Sequence, residues 1–344
     1  MDEVSTAEAP TTSASNDDFS IEQLVSQGFV IFACFTEAVL FLFICFTNGT
    51  LLAAFVHKES LRTISNYYII QMAVADFSVG LWMPMHIVMF LKPQVLGNMT
   101  LCTFRYASLL FSMSGSITSL LAMTYDRLSA ILHPLHYQAS MTSKRYVLSA
   151  VVVWLWPVSL AAVTMAYHNE WHELPVTDCE LILVLKVEAL RFYLLPFFFG
   201  ISVAMIIMYV IILRVARQQA LSEPPQVQEA GGQKKPTRMQ KEMKLIKTGL
   251  IVFAAFYLCW LPMVTLILYQ VSFTPVLLTP MVTALRAAAT FPALLNSALN
   301  PLVYAFRMSV YRQHFYRMMP CTRHKVHPVT SQATAADTAV NAIS

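Results

Sequence analysis

Charge is what this sequence has least of. Asp, Glu, Lys and Arg make up only 12% of its 344 residues, about half of the roughly 25% usual in soluble domains. The mean hydropathy is positive, +0.57, which excludes an ordinary soluble protein and makes the chain a membrane protein. Also missing are a zinc-peptidase helix, a nucleophile elbow and a phosphate loop, so the chain is not expected to be an enzyme. No basic-then-apolar signal peptide precedes the first hydrophobic run, which is therefore expected to serve as its own insertion signal. The net charge of +4 says little about partners, and no nucleic-acid partner is expected.

What is there is apolar sequence in long runs. Stretches of about 20 or more residues recur at 28–56, 66–91, 104–125, 147–167, 190–213, 248–270 and 278–305, each long enough to cross about 30 Å of hydrocarbon as a helix. Seven crossings put the two ends on opposite sides. With the N-terminus outside, all but five of the 23 basic residues lie inward. The five are Lys92, Arg105, Lys186, Arg191 and Arg286, so the orientation is N-out, C-in. The expected fold is an all-α seven-transmembrane bundle over 26–305, and the expected location is the plasma membrane. Residues 1–25 and 320–344 read as disordered tails. From 306 to 319, Phe306, Val310, Tyr311, Phe315 and Met318 recur at helical spacing among Arg307, Arg312 and Arg317, the pattern of a short amphipathic eighth helix on the inner leaflet.

Topology sorts the cysteines. Cys102 and Cys179 both fall on the oxidising side and are expected to form a disulfide, whereas Cys34, Cys45 and Cys259 lie within segments. Cys321 follows the inner juxtamembrane stretch, where it could carry a lipid. Asn98-Met99-Thr100 is the reachable glycosylation sequon, because Asn48-Gly49-Thr50 lies inside the membrane. His168, Glu170, His172 and Glu173 in the second outer loop invite a zinc reading, but without a third fixed ligand solvated side chains are the better account.

Polar groups at membrane depth mark the functional candidates. Asp126 and Arg127 stand where the run 109–123 gives way, able to neutralise one another while Arg127 keeps donors for a further partner. Glu242, twenty residues before Pro262 and so about 30 Å along a helix, is that expected partner. Asp76 sits mid-segment and must be neutralised, hydrogen-bonded or paired. With Ser116, Asn296, Ser297 and Asn300 it reads as an allosteric sodium site, or as a hydrated polar core without an ion. Pro262, two residues beyond Trp260, removes a backbone donor and lets the inner half of its helix swing. Asn300-Pro301-Leu302-Val303-Tyr304 marks a second irregular helix.

Taken in order, Asn48, Asp76, Cys102, Asp126-Arg127, Trp154, Cys179, Cys259-Trp260-Leu261-Pro262 and Asn300-Pro301-Leu302-Val303-Tyr304 resemble the landmarks of a rhodopsin-like G-protein-coupled receptor. Three positions depart from the pattern: Leu128 follows the arginine, Thr47 precedes the first asparagine, and Pro196 lies thirteen residues rather than eight before Tyr209. Within the family, Glu37 eleven residues before Asn48, Asn66-Tyr67-Tyr68, Gln240-Lys241-Glu242 and Tyr304-Ala305-Phe306-Arg307 are similar to adenosine receptors and their melanocortin and lipid-sensing relatives. The resemblance implies a ligand site, a heterotrimeric G-protein partner and a resting latch between Arg127 and Glu242.

The pocket that it implies is Leu109, Ser112, Met113, Trp260, Met263, Val264, Ile267, Thr290 and Leu294, which is mostly apolar. Ile267 and Leu294 replace the asparagine and histidine with which adenosine receptors read their ligand. Leu109 stands where amine receptors carry an aspartate. With no lysine in 278–305, a retinal Schiff base is excluded. An extracellular small-molecule or lipid ligand is therefore expected, with Arg105, Arg191 and Arg286 near the rim and His86 as the replacement partner of Glu37. A constitutively active receptor without a diffusible ligand, and more remotely an ion-coupled transporter, remain as alternatives.

Overall fold

The computed structural model describes residues 16–92, 98–140, 143–166, 179, 181–222, 238–273, 280–308 and 311–312. Among these the chain is helical, with no β-sheet. Seven long helices follow one another: α1 (Asn16–His57), α2 (Ile64–Leu91), α3 (Met99–Leu132), α4 (Ser143–Ala166), α5 (Leu195–Ser222), α6 (Arg238–Phe273) and α7 (Pro280–Arg307). Six of them are long and apolar enough to cross a membrane. The seventh, α7, has 28 residues, ample for a span, but Arg286, Thr290, Asn296, Ser297 and Asn300 dilute its apolar face. It closes the ring by packing on α1, α2 and α6. The apolar part of α1 begins at Val30, but the helix itself starts at Asn16, so residues 16–25, expected to belong to a disordered tail, are helical instead.

Helix α3 is the most buried of the spans and touches α2, α4, α5 and α6. Its sequence explains how it can. Ser112, Ser114, Gly115, Ser116 and Ser119 leave little volume between backbones, and a Cβ at Gly115 would meet Ala75 at 3.1 Å and Trp154 at 3.2 Å. Their hydroxyls do not go begging. Ser114 donates to Leu110 O at 2.6 Å, Thr118 to Ser114 O at 2.7 Å and Ser119 to Gly115 O at 2.7 Å, the one-turn-back bond open to Ser and Thr on a helix.

The Cys102–Cys179 disulfide is formed and, with buried Val184, makes a small cluster at one end of the bundle, the disulfide end. Cys34, Cys45 and Cys259 are free. The opposite end is the arginine end, where α3 gives way at His133 to a short helix, Pro134–Ser140. At the other landmark, a π-turn at Leu190–Leu194 precedes α5, Pro196 stands second in that helix, and Ile201 occupies the place eight residues before Tyr209. Tyr209 nevertheless reaches the core: it is buried, accepts from Thr124 Oγ1 at 3.3 Å and would clash at 2.8 Å with any Cβ at position 249. Gly249 is thus where α6 lets the tyrosine in.

Of the expected eighth helix, 309–310 and 313–319 fall outside the described residues. Phe306 and Arg307 end α7, and Tyr311 is buried.

Candidate functional site

At the arginine end, Asp126 and Arg127 are buried near the end of α3. Arg127 Nη2 pairs with the neighbouring Asp126 carboxylate, and Nη1 crosses to Glu242 Oε2 of α6 at 2.7 Å. Tyr137 of the short helix donates to the other Asp126 oxygen at 2.7 Å. One guanidinium therefore serves two carboxylates, one of which is held by a phenol as well. Such a cluster is costly to break on one side only, since the group left behind is a buried charge. The Arg127–Glu242 contact is the one read from the sequence. Tyr137 was not foreseen, because its placement depends on the new helix that Pro134 starts.

Mid-bundle, Asp76 is buried on α2. Ser116 Oγ of α3 donates to its Oδ1 at 3.2 Å, and Asn300 Nδ2 of α7 donates to its Oδ2 at 2.7 Å. A cavity of about 10 Å³, roughly one water-sized sphere, lies against Asp76, Ser112, Ser116, Asn296 and Ser297. Asn296 Oδ1 and Asn300 Oδ1 are buried without a hydrogen-bond partner. A hard cation takes oxygen donors, and a carboxylate, a hydroxyl and two orphaned amide oxygens are such a set, so these residues fit sodium. Among the described residues there is no cluster of three or more His, Cys, Asp or Glu for a transition metal.

Above it, toward the disulfide end, opens a cavity of about 650 Å³, within the size range of small-molecule sites. Leu109, Met113, Trp260, Met263, Val264, Ile267, Thr290 and Leu294 line it, joined by Phe198 of α5 and Ile182 of the loop held by the disulfide. Leu109, Met113, Trp260 and Leu294 line the small Asp76 cavity as well. They form a shared partition, in which the Trp260 ring lies 6.1 Å from that of the fully buried Phe256. Pro262 lies inside α6 and Pro301 inside α7. Tyr304, one turn past Asn300, is buried against Met72 Sδ at 4.0 Å.

The model of the 7 transmembrane receptor (rhodopsin family) matches residues 47–304. The chain belongs to that family. It is 27% identical to sheep adenosine receptor A3 over 79% of this chain and 85% of the relative. It is 26% identical to guinea pig histamine H2 receptor over 77% and 72%, and 29% identical to mouse trace amine-associated receptor 2 over 76% of each. This is a family of multi-pass membrane receptors, not of enzymes or transporters. Relatives whose names point to different ligands match equally well, so the family identifies the scaffold without identifying the ligand.

The rhodopsin-family scaffold gathers eight of the nine expected pocket residues and corrects three expectations. Ser112 lines the Asp76 cavity instead, its hydroxyl 2.6 Å from that of Ser78. Small side chains of α3 turn toward α2, and Ser112 follows that face. Arg191 is not at the cavity, because its Nη2 donates to Val271 O of α6 at 2.7 Å. Glu37 is buried as expected, but it is not bonded to His86: Glu37 Oε2 and both His86 ring nitrogens are buried with no hydrogen-bond partner. Arg105 is the charge whose field reaches both of them, and it lines the large cavity together with Glu37 and Arg286.

Sequence reasoning missed the contribution of α1, whose Phe32, Ala33, Thr36, Glu37 and Leu40 also line the large cavity. Glu37 was the available signal, since a carboxylate in an otherwise apolar span has to face something polar. Asn98 is exposed and caps α3, its Oδ1 accepting from Leu101 N at 3.0 Å. Cys321 and the loop with His168, Glu170, His172 and Glu173 lie outside the described residues.

Proposed function

We propose that this rhodopsin-family receptor lies in the plasma membrane with its N-terminus outside. It binds an amphipathic small molecule or lipid in the cavity above Trp260 and signals to a heterotrimeric G protein at the arginine end. The bias of basic residues toward the arginine end supports the orientation. The observation that carries the ligand reading is the cavity of about 650 Å³ whose walls are chiefly Leu, Ile, Val, Met and Phe, with Glu37, Arg105 and Arg286 as its charged members. Apolar walls favour a hydrocarbon body, and the two arginines suit an anionic headgroup.

A nucleoside fits poorly. At the places where its polar edge would be read stand Ile267 and Leu294, which offer neither donor nor acceptor. An amine fits no better with Leu109 on α3.

A bound ligand presses on Trp260, the residue shared by both cavities. The Asp76 set, with Ser116, Asn296, Ser297 and Asn300, would hold sodium in the resting form, where the ion supplies a counter-charge to the carboxylate. Below, the Arg127–Glu242 pair ties α3 to α6. When α6 swings about Pro262 that pair parts, and the cleft exposes Arg127 to the G protein. Leu135, 84% exposed beside Pro134, is placed to meet the partner. The closed pair also favours a ligand-dependent receptor over a constitutively active one, since an active form would have to break it.

The test is guanine-nucleotide exchange in membranes carrying the receptor and a panel of G proteins, first without ligand, then with nucleosides and with single-chain lipids. A response to lipids over a low basal rate is expected. A high basal rate untouched by removal of lipids and serum would favour the constitutive receptor instead.

A further inference from the structure

The large cavity has walls that are also outer surface. Phe32 of α1 is 67% exposed and Phe291 of α7 is 44% exposed, yet both line it. Ala284 and Ala288 of α7 do the same. Side chains that line the cavity and are also exposed bring it close to the outer surface of the bundle. On α1, Ala33, Glu37 and Leu40 share one face, and on α7 so do Ala284, Ala288 and Phe291, each at a spacing of three to four residues. The two faces meet along the seam between the first and last helices.

The seam is shut toward the arginine end. There Leu40 and Ile44 pack with Leu294 and Ala298 in one buried cluster, and Asn48 Nδ2 donates to Ser297 O at 3.0 Å. Toward the disulfide end the cavity-lining residues of the two helices include the small Ala33, Ala284 and Ala288. Around them Ile31, Phe35, Met281 and Leu285 are exposed and apolar, the kind of surface a spanning helix presents to hydrocarbon.

We infer that the cavity is loaded from the bilayer, through the seam between α1 and α7, by a single-chain amphiphile whose tail passes between Phe32 and Phe291. This rests on the reading of the cavity as an amphiphile site. The alanines that line the cavity on both helices leave room for an unbranched chain more readily than for a ring system. Arg105, Arg286 and Glu37 offer the polar end a place once the chain has turned inward.

Full-length receptor in phosphatidylcholine nanodiscs, doped with stearic acid bearing a mid-chain diazirine, tests this by the rate of photolabelling of the α6 peptide containing Trp260 and Met263. Ala33→Phe with Ala288→Phe adds bulk to this part of the seam, and Phe32→Ala with Phe291→Ala removes it. Labelling should slow about tenfold in the first pair, within the spread of association rates seen among variants of one site, and quicken in the second. Quickening cannot come from misfolding. Equal rates in wild type and both pairs would overturn the passage and leave the site standing. No labelling of that peptide in wild type would overturn the passage together with the amphiphile reading.

Discussion

The two ends of the bundle solve the problem of polar groups in a membrane in opposite ways. At the arginine end Asp126, Arg127, Glu242 and Tyr137 satisfy one another within four side chains. Toward the disulfide end Glu37 Oε2 and Trp260 Nε1, on residues that line the apolar cavity, are buried without hydrogen-bond partners, as are both nitrogens of His86 on α2. A satisfied cluster holds one conformation, because every departure from it strands a charge. An unsatisfied one is an invitation, because a ligand that supplies the missing partner gains what the resting protein lacks. The contrast supports the proposed roles of one end as latch and the other as receptacle.

The comparison can be broken most heavily by cutting the one covalent tie at the receptacle. The Cys102–Cys179 bridge spans 77 residues, and closing a loop of that size is worth roughly 4 kcal/mol in the chain-entropy account. Cys102→Ser, Cys179→Ser and the double variant should lose the same thermal stability in detergent, since each removes the same bond. A double variant much worse than either single one would show that the cysteines do more than cross-link.

Next in size is the cost of offering the receptacle the wrong chemistry. A nucleoside base buried against Ile267 and Leu294 would leave two polar groups uncompensated at roughly 1–3 kcal/mol each. Adenosine should therefore bind tens- to thousands-fold more weakly than a receptor built to read it requires. Submicromolar activation by adenosine, lost on mutating Ile267 or Leu294, would mean that the pocket has been misread.

The latch gives a smaller effect of definite sign. Glu242→Ala leaves Arg127 with Asp126 alone and frees α6, shifting the resting form toward the active one by about 1–3 kcal/mol, the usual size of such couplings. Basal nucleotide exchange at matched surface expression should rise. Tyr137→Phe, which removes one hydrogen bond to Asp126, should raise it less. If neither variant changes basal exchange, the pair is only structural.

How much of this was legible beforehand differs between the two ends in the same way. The latch and the Asp76 cluster could be read because charged and amide side chains in an apolar span have few places to go, so Glu242, Ser116 and Asn300 were found as partners from position alone. The receptacle could be read only in part. Leu109, Met113, Ile267 and Leu294 lie on segments whose order fixes them, but an apolar residue carries no sign of whether it meets the cavity, a neighbour or lipid. Phe32 and Ala33 were missed for that reason. Ser112 was misplaced by one face of α3, and Glu37 is not hydrogen-bonded to His86 because the packing of two adjacent helices does not determine where their side chains turn.

The smallest expected structural effect carries the sharpest functional test. Asp76→Asn keeps the size of the side chain, and its amide oxygen can still accept from Asn300 while its amide nitrogen donates to the Ser116 hydroxyl, so folding should change little. What it removes is the negative charge between those donors, and with it the reason for a cation to sit beside the orphaned Asn296 and Asn300 oxygens. An ion bound only by the resting form stabilises that form by linkage, and so weakens any agonist that selects the other one. In wild type, raising sodium at constant ionic strength should lower agonist affinity, whereas potassium should not. In Asp76→Asn both salts should act alike, with agonist affinity at the wild-type low-sodium level. Because Trp260, Leu109, Met113 and Leu294 line both cavities, Trp260→Ala should keep sodium binding while blunting its effect on the agonist, which would place the coupling between receptacle and latch in that shared partition. A sodium dependence that survives in Asp76→Asn would remove the ion from the site and leave the cluster as a hydrated polar core.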